Sequence, residues 1–339
     1  MRTWGIIAAV FVCYSSHTLQ KVYIIPPVGY LDKLFSVTEP WYNRDDCMRP
    51  FRLLRDKLLE LGYQLIPTAD GSAHDGIALI TCGILRDTRK YKVRRNLEHY
   101  AHKKLIALLF EPPAIMPRDY QHDAVSELYT TIFTMLDTGI DNKRYCKLFY
   151  PLPEISSPQI VVPFGDKKLC VAITGAKNGL KHPRELYSER LKSIDFFTHR
   201  AFGQFDLYGH GWSRKKFPAY RGPIEKKSVV LSQYKYCICY ENMRAPGYVT
   251  EKIFDCMMAG CVPIYWGADN ITEYVSKDCF IDRNDFKNNE ELYNYIITIT
   301  PEQYNTYLAA ITRYLNSEFA QKFSAHFFVQ NLIAQLGLS

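Results

Sequence analysis

Three side chains in this 339-residue sequence sit where their charge would do chemistry. Lys252 falls in the first turn of a helix expected over residues 251–259, with Thr250 as a fitting N-cap and Gly260 as a fitting stop. The positive end of the helix dipole disfavours a cation there by roughly 0.3–1 kcal/mol, and a bound phosphate would turn that cost into attraction. Arg184 repeats the arrangement, following Pro183 at the start of a helix expected over 183–197, after a strand at 169–174 and a loop. A diphosphate bridging two strand ends accounts for both cations, because ligands of open α/β sheets bind beyond the carboxyl ends of strands. Glu111 follows the apolar run 105–110 and precedes Pro112-Pro113, which fixes the backbone at a third strand end. Transfer of a sugar from a nucleotide diphosphate to a hydroxyl needs one carboxylate base and cations for the departing group. Spacing alone leaves plainer alternatives standing: Lys252 reaching to water beside Glu251, Arg184 as an ordinary surface arginine, Glu111 as a solvated loop carboxylate.

The elements that must position these residues alternate. Strand-like apolar runs at 21–25, 62–66, 77–80, 105–110 and 130–135 are separated by helical material, including 48–61, where Leu54, Leu58 and Leu61 recur at helical spacing. A Pro-rich stretch over 150–163 reads as a linker. The alternation then restarts, with strands at 169–174, 204–208, 234–240 and 262–266, and helices at 183–197, 251–259, 289–297, 301–315 and 318–336. Two α/β domains in series follow, at 1–155 and at 156–339, the second carrying the closing helix. No G-x-G-x-x-G follows the first strand and no G-x4-G-K-[ST] occurs, which lowers the dinucleotide and P-loop readings.

Composition is that of an ordinary globular chain, 47% hydrophobic and 23% charged, and the net charge of +7 suits an anionic ligand or an anionic lipid surface. Ten scattered cysteines, many inside apolar runs and none at C-x2-C spacing, read as buried thiols and not as a metal cluster. The run 4–14 after Arg2 is like the core of a signal peptide and short for a membrane span, leaving leader, peripheral anchor and buried segment open. The basic run Arg86, Arg89, Lys90, Lys92, Arg94 and Arg95 reads as a solvated face.

The segment 234–267, YKYCICYENMRAPGYVTEKIFDCMMAGCVPIYWG, resembles the signature of the α-1,3/1,4-fucosyltransferases, glycosyltransferase family 10, and lies closest to its bacterial members. The resemblance implies the GT-B fold: two Rossmann-like α/β domains facing a central cleft, an acceptor-binding one first and a GDP-fucose-binding one second. It implies inverting transfer of L-fucose from GDP-β-L-fucose to a hydroxyl of an N-acetylglucosamine- or glucose-containing glycan. Carried over residue by residue, the diphosphate-binding cations fall on Arg184 and Lys252, the ribose-holding carboxylate on Glu251, and donor contacts on Asn242 and Tyr248. The base falls on Glu111, with Glu241 as a second candidate carboxylate. Tyr240 stands where the family has Phe, and Met243 where it has a small hydroxyl residue. No metal is required on this reading, since two cations replace a divalent ion; manganese or magnesium would at most stimulate. The expected partners are GDP-fucose and an oligosaccharide, glycolipid or glycoprotein acceptor, with no nucleic acid. The expected compartment is the cytoplasm with peripheral membrane contact, or a secretory or Golgi lumen if residues 1–14 are a signal or anchor. Two rivals stay open: a GT-B transferase using another nucleotide sugar, and a non-catalytic relative that binds nucleotide sugar or glycan.

Overall fold

The structure, a computed structural model, describes residues 19–38, 43–85, 91–158 and 162–338. The apolar run at 4–14 and Arg86, Arg89 and Lys90 of the basic run lie outside them. The first lobe is a six-stranded parallel sheet of β1 (Gln20–Ile25), β2 (Tyr63–Pro67), β3 (Ala78–Cys82), β4 (Lys104–Leu109), β5 (Thr131–Thr134) and β6 (Tyr145–Lys147), ordered 2-1-3-4-5-6. Helices α1 (Arg49–Glu60) and α2 (Tyr91–Ala101) lie in this lobe. Leu54 and Leu58, one turn apart, are fully buried on α1, and Gly62 turns the chain with φ +86° directly into β2.

The second lobe repeats the plan with β7 (Lys168–Ile173), α3 (Tyr187–Arg200), β8 (Phe205–Tyr208), β9 (Tyr220–Gly222), α4 (Lys227–Leu231), β10 (Tyr234–Tyr240), α5 (Glu251–Met258), β11 (Val262–Trp266) and β12 (Ile281–Asp282). Its sheet is also parallel, ordered 12-11-10-7-8-9, so the strand order reverses between β7 and β10. A parallel sheet covered on both faces requires apolar side chains on both, and six of the seven β10 residues are buried. Helices α6 (Asn289–Thr298), α7 (Pro301–Leu315), α8 (Glu318–Gln321) and α9 (Ala325–Leu336) follow.

The single helix expected over 318–336 is two, because Lys322–Ser324 turn the chain and Ser324 caps α9 through Phe327 N (3.2 Å). The closing helix also leaves the lobe that the sequence reading gave it. Phe328, Leu332 and Leu336 of α9 enter the core formed by Leu54, Leu58 and the first sheet, and Phe328 packs edge-on against Phe51 of α1 at 5.9 Å. The Pro-rich connection is tied to that return: Leu152 N donates to Phe323 O (2.7 Å) and Ala325 N to Leu152 O (2.9 Å). Among the described residues no helix is long and apolar enough to cross a membrane. The nine described cysteines are free, seven of them buried.

Candidate active site

The carboxyl ends of both sheets open on one cleft of about 710 Å³ between the lobes. The first lobe lines it with the segments after β1, β3 and β4, and the second with those after β7, β8 and β10 and the start of α5. This is the switch point of strand order at which open α/β sheets bind ligands.

At the start of α5, Thr250 is the N-cap and its hydroxyl accepts from Lys252 Nζ at 2.9 Å. Glu241, fully buried just past β10, accepts from Thr250 N (2.8 Å) and Thr250 Oγ1 (2.8 Å), and its carboxylate lies 3.0 Å from Lys252 Nζ. Glu251 is 3.5 Å from the same ammonium. The cation that looks misplaced in a first helical turn is therefore held by two of the chain's own carboxylates, and keeps about a quarter of its side chain exposed to the cleft. Burial would push the Lys252 ammonium down, but Glu241 and Glu251 outweigh it and hold it well above the usual lysine range. Burial likewise pushes the Glu251 carboxyl up, yet Lys252 and Lys227 overcome it and hold it at about 2. In Glu241 burial prevails over the opposing Lys252 charge and lifts the carboxyl.

Arg184 does not join this group. Helix α3 starts at Tyr187, not at Pro183, because the Glu185 carboxylate accepts the N–H groups of Tyr187 (2.7 Å) and Ser188 (3.1 Å) and makes its own turn there. Arg184 precedes the helix, donates to Arg244 O (2.8 Å) and pairs with Asp269, its side chain half-exposed outside the cleft lining. Among the described residues two arginines line the cleft, Arg44 from the first lobe and Arg190, which is buried on α3. The second is the one near Lys252. It donates to Thr174 Oγ1 (3.1 Å), Tyr240 O (2.5 Å) and Glu241 O (2.8 Å), which ties the ends of β7 and β10 together. Beside it, 5.0 Å from the guanidinium, lies the ring of Tyr187, whose buried hydroxyl has no hydrogen-bond partner among the described residues.

Glu111 comes from the first lobe, two residues past β4, and reaches the second: Asn242 Nδ2 donates to its Oε2 at 3.2 Å and to Tyr248 OH at 3.3 Å. Its carboxylate is open to the cleft, yet both lobes surround it. Loss of solvent raises it above the usual range, against the pull of Lys252 and of the Asn242 hydrogen bond. One carboxylate, an amide that orients it and a fixed ammonium thus share a crevice with a buried guanidinium. That set can bind a diphosphate and remove a proton beside it.

Residues 166–331 match the model of glycosyltransferase family 10 (fucosyltransferase), C-terminal part. Those residues belong to glycosyltransferase family 10. Over 73 residues the chain is 41% identical to the α-(1,3)-fucosyltransferase of Helicobacter pylori, a match covering 22% of this chain and 15% of that protein. It is 37% identical over 81 residues to an α-(1,4)-fucosyltransferase of Arabidopsis thaliana (23% and 20%), and 28% identical over 141 residues to a mouse 4-galactosyl-N-acetylglucosaminide 3-α-L-fucosyltransferase (40% and 34%). The chain thus spans about a third or less of the length of these curated relatives. Among solved structures, an α1,3-fucosyltransferase with GDP superposes with a TM-score of 0.56 at 16% identity, over 96% of this chain and 92% of that one. A DNA-modifying β-glucosyltransferase superposes at 0.55, with 12% identity, over 94% and 100%. The fold is GT-B.

Within the family 10 domain, the expected Asn242, Tyr248, Glu251 and Lys252 line the cleft, as does Glu111 from the other lobe, whereas Glu241 lies buried behind them. Arg190, Tyr187 and Lys227 line it too and had no place in the sequence reading. Arg190 left a signal: it shares a helix face with Tyr187, Ile194 and Phe197, all buried, and an arginine on an apolar face needs a partner or a ligand. Lys227 left less, since it starts a five-residue helix; its Nζ meets Asp255 of α5 at 2.6 Å.

Proposed function

We propose that the protein is an inverting fucosyltransferase that moves L-fucose from GDP-β-L-fucose to a hydroxyl of an N-acetylglucosamine- or glucose-containing glycan, forming an α-1,3 or α-1,4 fucoside. The observation that carries this reading is the hydrogen bond from Asn242 to Glu111. It couples a first-lobe carboxylate to the family 10 segment that leads into the phosphate-facing start of α5.

In the proposed step the acceptor oxygen attacks the anomeric carbon of fucose, and its proton passes to Glu111. The bond from that carbon to the β-phosphate oxygen breaks, and its electron pair leaves with GDP. Lys252 and Arg190 face the diphosphate and offset the charge that develops on it, the part given to Arg184 in the sequence reading. Because both cations are already fixed by protein groups, little reorganisation accompanies the reaction. Glu251, held ionised, accepts from the ribose hydroxyls, and Tyr187 OH gains a partner when the donor binds. Two cations at the diphosphate support transfer without a resident metal, with manganese or magnesium at most stimulatory. The acceptor is an oligosaccharide, glycolipid or glycoprotein, and free thiols support a cytoplasmic setting.

Glu111→Gln tests the reading. GDP binding by calorimetry stays within about twofold, while transfer falls at least ~10²-fold, the low end for loss of a general base. Near-normal turnover in that variant removes Glu111 as the base, and donor-independent melting with GDP-fucose removes the sugar nucleotide.

A further inference from the structure

Away from the reacting groups, the two lobes meet at a second polar cluster. Asp137 follows β5 and Lys147 ends β6, both in the first lobe. Lys147 Nζ donates to Asp137 Oδ1 (2.8 Å), to Met135 O (2.5 Å) and, across the lobe boundary, to Gly247 O (3.0 Å). Asp137 accepts from two side chains of the other lobe, Tyr274 OH (2.5 Å) and Asn270 Nδ2 (2.8 Å), and its own N–H donates to Pro246 O (3.1 Å). Asn270 Oδ1 closes the ring by accepting Gly247 N at 2.9 Å. The Lys147 ammonium also sits 4.7 Å from the centre of the Tyr274 ring, with Phe149 beyond it.

We propose that Asp137 and Lys147 are a positioning pair: they clamp Pro246 and Gly247, and so hold the loop 241–250 in register with Glu111. The inference rests on the transferase reading above. Both ends of that loop are functional, since Asn242 orients Glu111 and Thr250 caps the helix that presents Lys252. A shift at Gly247 is transmitted both ways through a short segment. Gly247 itself is explained by the clamp. It has φ +78°, and a Cβ there would come within 2.3 Å of Asp137 Oδ1 and 2.4 Å of Lys147 Nζ. Gly247, inside the segment 234–267 that carries the family resemblance, is the residue that lets a first-lobe ion pair grip the second lobe's main chain. A largely buried ion pair is a weak source of stability but a strong source of geometric definition, because only one arrangement satisfies all its donors and acceptors.

The test is Lys147→Met, which keeps the stem over Tyr274 and deletes the ammonium, with Lys147→Arg as the conservative variant. The expected result for Lys147→Met is a kcat for transfer lowered about tenfold, on the scale of a displaced catalytic group, with the KM for GDP-fucose within twofold. Backbone amides of residues 242–250 should exchange faster while those of β7 and β10 do not, and Lys147→Arg should recover most of the kcat. Tyr274→Phe, which removes one hydrogen bond to Asp137, should move the same quantities in the same direction by less, and it keeps the question answerable if Lys147→Met folds poorly. Exchange that rises evenly through the second lobe, or an unchanged kcat in a folded Lys147→Met, overturns the proposal. The exchange measurement, made with GDP bound, reads the clamp whichever sugar is transferred, so failure of the clamp and failure of the fucosyl reading are told apart.

Discussion

The second lobe meets the cleft with charges already engaged: Lys252 with Glu241 and Glu251, Lys227 with Asp255, and Arg190 with the carbonyls of Tyr240 and Glu241. The first lobe meets it largely with apolar side chains, among them Met48, Phe51, Leu108 and Phe110, and with the charged Arg44, Asp119 and Glu111, the last with its carboxylate open to the cleft. A diphosphate has one charge pattern, and a rigid set of cations matched to it loses little on binding. A wall of Met, Phe and Leu fixes far less about its occupant. On the transferase reading proposed above, the difference teaches that donor recognition is built into the fold, whereas the opposite wall sets shape and excludes water.

The sharpest way to break that comparison is to uncouple a charge on the engaged side. Glu241→Gln leaves Lys252 short of a buried partner; it should lower unfolding stability by about 3 kcal/mol in chemical denaturation, the low end for a broken buried pair because Lys252 remains partly wet. An unchanged stability would mean that Lys252 does not depend on its internal carboxylates. Next in size, Arg190→Lys should weaken GDP at least about tenfold in calorimetry, since an ammonium cannot keep the forked grip on two carbonyls and a phosphate. Arg184→Ala should leave GDP affinity within twofold, and the reverse ranking would restore Arg184 to the diphosphate. A third measurement concerns Glu111. Its carboxyl lies above the ordinary range and must be ionised to act as a base, so the acid limb of kcat/KM should fall above the usual glutamate value of about 4.3. Asn242→Ala, which removes a hydrogen bond that lowers it, should move the limb further up. The smallest expected effect is on stability against pH. Glu251 is depressed to about 2 in the folded chain, so its contribution is present above about 4.3 and is lost as pH falls from there toward 2. Glu251→Gln should flatten that part of the curve.

How much of this was legible in the sequence follows the same division. Strands β4, β7, β10 and β11 are near-continuous apolar runs because both faces of a parallel sheet are covered, and residues such as Cys237, Ile238 and Cys239 announce that directly. Strands β6, β9 and β12, of three, three and two residues, are too short to carry a period. The place of α9 was hidden because an amphipathic helix shows that it has a buried face but not which sheet buries it. At the site, Lys252 stood out because a helix start is a local event. The start of α3 was misplaced for the same reason: Pro183 looks like a first helical residue, and the turn made by Glu185 depends on a side chain reaching forward to Tyr187 and Ser188. The second-lobe partners of Lys147 and Asp137 lie about a hundred residues or more downstream, beyond any spacing rule.

The return of α9 to the first sheet bears on how the chain acquires its shape. Phe51, Leu54 and Leu58 are made early in synthesis, and the side chains that cover them, Phe328, Leu332 and Leu336, emerge only after the whole second lobe. The first lobe therefore waits with part of its apolar surface uncovered, a state prone to self-association, and its last contacts close a loop of more than 250 residues. Maturation of the amino-terminal half is thus gated by the carboxyl-terminal half, and the two lobes reach their native packing together.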